Sequence, residues 1–224
     1  WHCSLRHGTN DVTEDIAIEH PQQLTVSLEQ DSRIQLNNGR TVWNEGDLLS
    51  VFHYTNKNEK WEFEGATGDL LGTIKRVSRP YNTKTLSNIV VVYPYNEAYS
   101  LVSKTLQVEA SLPATQTYTA DSFGVGSSIM VSASEDNEFI LKNCCGWLDL
   151  QLCNDNEFTV EKIVLRGGNN EQLAGNLLID SKSAEVTLAG TSSEPEDNTT
   201  VGGTLIFEDS VIKELTLLCP DGAQ

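Results

Sequence analysis

The sequence has no apolar run near the ~20 residues that a membrane-spanning helix requires. It is also poor in positive charge: 15 Lys and Arg stand against 32 Asp and Glu, a net charge of −17. That balance excludes nucleic acid as a main partner, because phosphate backbones are bound chiefly by Lys and Arg. It equally disfavours docking on an anionic membrane surface. Histidine is scarce, with four residues at positions 2, 7, 20 and 53. None has the spacing of a zinc set, and the five cysteines contain no C-x-x-C pair. No G-x-S-x-G elbow occurs, and no EF-hand loop. "GVGSS" and "RGGNNE" are rich in glycine, but neither opens a helix, so they do not read as phosphate cradles.

Turn-separated segments of alternating polarity fill the chain instead. "LTVSLE" places Leu24, Val26 and Leu28 on one face. In "RIQLNNGRTVW" the Asn38-Gly39 pair suits a tight hairpin turn. "DLLSVFHY" and "KWEFEG" read as a second hairpin. The continuous apolar run "NIVVVYPY" reads as a central strand covered on both faces, ended by Pro94. "TLQVEASLP" alternates and stops at Pro113. The second half offers eight more segments, from "SIMVSAS" to "KELTLLC". No segment carries a sustained apolar stripe of helical period, and "DSVIKEL" is at most one helical turn. About fifteen short strands at roughly 8–12-residue spacing predict an all-β protein of sandwich or Greek-key type.

Fifteen strands exceed one ordinary sandwich, so two are expected. Residues 1–20 read as a flexible leader, 21–134 as an N-terminal β-sandwich and 135–224 as a C-terminal one. The break is placed near Glu135, in the acidic "SASEDNEF". "GTSSEPEDNTTVGG" reads as a long exposed loop. It contains the formal glycosylation sequon Asn198-Thr199-Thr200 and an acidic patch better read as solvated than as a calcium site.

Glu45 and Asp47, in "TVWNEGDLLSVFHY", are the best-placed carboxylate pair for acid/base chemistry. Such a pair needs to face a scissile bond from two sides. These two straddle one glycine at the mouth of a strand, and Asn44 to Asp47 make a good turn. A turn is expected. Ser127 and Ser128 have no histidine nearby in sequence, and His53 reads as a packing or surface residue. Cys3, Cys144, Cys145, Cys153 and Cys219 are expected to act mostly as small core hydrophobes, with one disulfide, involving Cys219, left open in an oxidising compartment.

Several phrases together resemble the fimbrillin family of Bacteroides-type bacteria: "TVWNEGDLLSVF", "VVVYPYNEA", "LPATQTYTADSFGVGSSIMVSAS", "LKNCCGWLDLQL", "VEKIVLRGGNNEQLAGN" and "LTLLCPDGAQ". The resemblance runs from about Gln23 to Gln224. It implies two tandem transthyretin-like β-sandwiches in a non-catalytic structural protein, with no cofactor and no metal. It also implies a place on the bacterial cell surface or outer-membrane fimbrium, a lipid anchor not visible in this sequence, and further strands beyond "CPDGAQ". Partners would be other fimbrial subunits, joined by strand exchange, or ligands on host or bacterial surfaces. In the family, cleavage follows a basic residue near the N-terminus, which offers Arg6 and Arg33 as processing positions. Cutting at Arg33 would remove "LTVSLE".

Two other readings compete. A surface carbohydrate-binding protein would need exposed, coplanar aromatics. Trp43, Trp61, Tyr93, Tyr95 and Tyr99 are the candidates, with Trp147 beside them. A β-sandwich hydrolase would need facing carboxylates, and no feature favours it.

Overall fold

The computed structural model describes residues 21–29, 41–54, 57–81, 85–117, 126–145, 158–159, 162–164, 174–188, 204–206 and 211–212. All the regular structure there is β. In chain order the strands are β1 (Gln23–Leu28), β2 (Leu48–Tyr54), β3 (Lys57–Phe63), β4 (Leu71–Arg76), β5 (Thr85–Tyr93), β6 (Ser100–Val102), β7 (Gln107–Leu112) and β8 (Thr115–Thr117). They continue as β9 (Met130–Ser134), β10 (Glu138–Asn143), β11 (Phe158–Thr159), β12 (Lys162–Val164), β13 (Gly175–Asp180), β14 (Val186–Leu188), β15 (Thr204–Ile206) and β16 (Val211–Ile212). No helix among the described residues is long and apolar enough to cross a membrane.

Seven strands close into a barrel in the order β1-β10-β9-β5-β2-β3-β4, with β1 meeting β4 to complete it. Every neighbour pair is antiparallel except β1 with β10. Period-two patterning explains the interior. Leu24, Val26 and Leu28 point inward from β1, Trp61 and Phe63 from β3, and Phe139 and Leu141 from β10. Gly72 on β4 shares the inward phase with Ile74. A Cβ at Gly72 would lie 2.5 Å from the Phe63 ring, so the missing side chain is what lets that ring fill the barrel.

A four-stranded sheet, β14-β13-β7-β6, covers one outer flank of the barrel. Its Leu101, Val108, Leu177 and Ile179 pack on Phe52, Val90, Val92 and Val131, which point outward from β2, β5 and β9. The central strand β5 therefore carries apolar residues on both faces, with Ile89 and Val91 inside and Val90 and Val92 outside. This is what the unbroken apolar run predicts. β5 ends at Tyr93 before Pro94, and β7 ends at Leu112 before Pro113. Two smaller groups, β12-β15-β8 and β11-β16, complete the pairing.

The arrangement is a closed barrel with a covering sheet rather than two clearly separate sandwiches. The acidic stretch around Glu135 is the turn of the β9–β10 hairpin, and both strands belong to the barrel. Asn88 on β5 donates to the Glu135 carboxylate across that hairpin (3.3 Å). β7, placed by sequence in the unit 21–134, pairs along its whole length with β13, placed in 135–224. A polar, acidic turn looks like a linker in sequence because both need the same residues. Where "DSVIKEL" allowed a helical turn, Val211–Ile212 form a strand paired with β11. The Asn38-Gly39 hairpin, the sequon at Asn198, Trp147, Arg6 and Arg33 lie outside the described residues.

Candidate functional site

β1 occupies the position with the clearest functional potential. It is the first described strand, and it is held on both sides. Gln23 to Ser27 pair with β4, from Gln23↔Lys75 to Ser27↔Leu71, and Thr25 to Leu28 pair with β10. Main-chain bonds beyond the ladder finish the seal: Leu28 N–H donates to Leu70 O (3.0 Å) and Glu29 N–H to Leu141 O (2.9 Å). Leu24, Val26 and Leu28 are buried to 5% exposure or less. Burying three such side chains stabilises by about 5–9 kcal/mol. This is comparable to the whole net stability of a domain, about 5–15 kcal/mol. A barrel without β1 would expose two strand edges and an apolar slot one strand wide.

The carboxylates Glu45 and Asp47 are where turn chemistry places them. Asp47 N–H donates to Asn44 O (3.0 Å), the Asp47 side chain accepts from Asn44 N–H (2.9 Å), and Gly46 has φ 81°. Glu45 is exposed, and its N–H is bound by Thr67 Oγ1 (3.1 Å). Asp47 also accepts from the Tyr93 hydroxyl (3.4 Å), and the Tyr93 ring meets Trp43 edge-on at 5.4 Å. Burial raises the Asp47 carboxyl above its ordinary value, against the pull of its hydrogen bonds. Burial, then the Asp47 charge, push the Tyr93 phenol up to about 12. The corner ties the β2 entrance to the end of β5. Its two carboxylates do not face each other across a cleft.

The other end of the barrel holds a feature that sequence reasoning missed. Glu59 and Arg76 form an ion pair of 3.0 Å across β3 and β4, and the Arg76 guanidinium lies 5.1 Å from the Trp61 ring centre. An extra residue in β2 between Val51 and Tyr54 breaks the register there. Tyr54 reaches this end, where burial raises its phenol, the Arg76 charge pulls it down and the Glu59 charge adds to the rise. Burial raises the Glu59 carboxyl to about 7, with Arg76 and the Trp61 indole N–H pulling it down. The signal was present in "KWEFEG" and the residues just before it: Glu59 is in phase with Trp61 and Phe63, so it had to point inward.

The aromatics proposed as a sugar platform divide. Trp43, Trp61 and Tyr99 are buried and present no face to a ligand. Tyr93 is committed to the Asp47 corner, and Tyr95 stays partly exposed. His53 is buried on β2 against the Tyr54 ring (4.8 Å). Cys144 and Cys145 are free thiols, half-buried, and the remaining cysteines lie outside the described residues. Among the described residues no cluster of three His, Cys, Asp or Glu side chains is arranged to hold a metal ion. No family model, no curated protein and no solved structure matches this chain.

Proposed function

We propose that this chain is a non-catalytic structural or adhesion protein of the bacterial cell surface, a fimbrial subunit of fimbrillin type that assembles by β-strand addition, with β1 as the exchanged strand. The observation that carries this reading is the position of β1. It completes the barrel from the N-terminal side, and Arg33 falls between it and β2 in the sequence. Cleavage there would leave β1 held only by its pairing. A neighbour's strand could then take its place, because main-chain ladder bonds accept any extended segment while the inner pockets select alternate side chains. The lipid anchor and the outer-membrane location belong to the same proposal.

Limited trypsin treatment tests it, with mass mapping of the cut and light scattering of the product. Growth in mass that follows a cut at Arg33 supports the reading. A cut chain that stays monomeric and has lost β1 contradicts it.

A further inference from the structure

The slot that β1 fills is not uniform along its length. Leu24, Val26 and Leu28 enter it. On β4, Leu24 stands opposite Ile74 and Val26 opposite Gly72. On β10, Val26 stands opposite Phe139 and Leu28 opposite Leu141. The middle position is thus the one that faces a glycine. The space there is not open, because a Cβ on Gly72 would lie 2.5 Å from the Phe63 ring. Cβ atoms of directly opposed residues lie about 4.5–5.5 Å apart. The Phe63 ring therefore stands where the cross-strand neighbour of Val26 would be, and Val26 enters between that ring and Phe139.

The ring has little freedom to yield. Its tip also fills the space that a Cβ on Gly65 would take, so glycines flank it on two sides. Its face stacks on Trp43, with ring centres 5.1 Å apart and planes 21° apart. Phe63, Trp43, Val26 and Phe139 are all buried. An interior packed this closely is sensitive to one added methylene. That sensitivity bears on register. A one-residue slip of β1 would turn Thr25 and Ser27 inward, and the pleat alone excludes it. A two-residue slip keeps apolar side chains inward, so the pleat does not exclude it. It would set Leu24 or Leu28 against Gly72, where a valine fits. It would also draw the Gln23 amide away from Glu64 Oε2 and Thr73 Oγ1, to which it donates at 3.2 Å each.

Given β1 as the exchanged strand, we propose that Gly72, Phe63 and Phe139 form a size filter that sets the register and the sequence of any strand entering the slot. The partner it fits is an extended segment that runs antiparallel to β4 and parallel to β10. Such a segment carries leucine-sized side chains at the two outer inward positions, a valine between them, and an amide donor just ahead of the first. Main-chain bonds hold the segment, and the filter decides which segment is held.

The test compares two synthetic peptides of residues 23–29: the parent, and one carrying Val26→Leu with Leu28→Val. The swapped peptide has the same composition, so a slot that reads only hydrophobicity would not tell them apart. Binding to the chain cut at Arg33 is followed by fluorescence anisotropy. The swapped peptide should bind about tenfold more weakly, the cost of overpacking one buried position. With Phe63→Leu in the cut chain the two should bind within about twofold of each other, because the coupled neighbour is gone. The same swap in the uncut chain, where β1 fills the slot without any exchange, should lower the urea midpoint, and Phe63→Leu should shrink that loss. Equal binding of the two peptides to the parent cut chain, or equal midpoints for the uncut parent and its swapped form, would overturn the filter. A cut chain that binds neither peptide would overturn strand addition instead, and the uncut midpoints would still decide the filter.

Discussion

Arg76 Nε and Glu59 Oε1 lie 3.0 Å apart, where neither side chain has more than 3% of its surface exposed. Two charges withdrawn from water recover that cost only through each other. Removing one partner strands the other. Arg76→Met is therefore expected to destabilise by about 3–5 kcal/mol in urea unfolding at pH 8, whereas Glu59→Leu with Arg76→Met together should be near neutral or stabilising. A double variant as damaged as the single one would contradict this account of the pair.

The same carboxyl predicts a pH dependence of unusual sign for a glutamate. Burial raises Glu59 from an ordinary 4.5 to about 7, so the folded state keeps a proton that the unfolded chain has released. Its stabilising contribution is full below about 4.5 and is lost as pH rises through about 7. Between pH 5 and pH 8 the parent chain should lose more stability than Glu59→Gln does. Parallel curves for the two would rule Glu59 out as the cause.

Gly72→Ala should destabilise by about 1–3 kcal/mol, the usual cost of overpacking a filled core. The added carbon would meet the fully buried Phe63 ring at 2.5 Å. The pair Gly72→Ala with Phe63→Leu should recover part of the loss, as read by thermal unfolding.

The thiols of Cys144 and Cys145 should react slowly with a disulfide reagent at pH 8 in the native chain and quickly in urea. Burial is the main cause, and it pushes Cys144 up to about 12, with Cys145 beside it adding to the shift. A thiol reacts through its thiolate, which is scarce so far below its pKa. Fast native labelling of either residue would show that the β10 exit opens in solution.

How much of this was legible in the sequence depended on how local each signal was. Strands were readable where one face was apolar, as in Leu24, Val26 and Leu28, or where both were, as in Ile89 to Val92. Turns were readable from their own chemistry, as at Asn44 to Asp47. Pairing was not. Nothing in "LTVSLE" says that it lies parallel to β10, more than a hundred residues later, or that β7 takes β13 as its neighbour. Those choices follow from which apolar faces meet, and many strands offer similar faces. The Glu59–Arg76 pair was hidden for a different reason. Charged residues in a short strand normally mark the solvent side, and only the phase set by Trp61 and Phe63 reveals the inward turn.

The central claim is that β1 fills a slot another strand can occupy. The most direct measurement takes the chain cut at Arg33 and adds a synthetic peptide of residues 23–29. Its binding is followed by fluorescence anisotropy, and the mass of the product by light scattering. The account predicts saturable binding of the peptide and suppression of assembly. Replacing both Leu24 and Val26 by Asp in the peptide should abolish both effects. A cut chain that assembles equally with and without the peptide, or binds the doubly charged peptide as well, would contradict it.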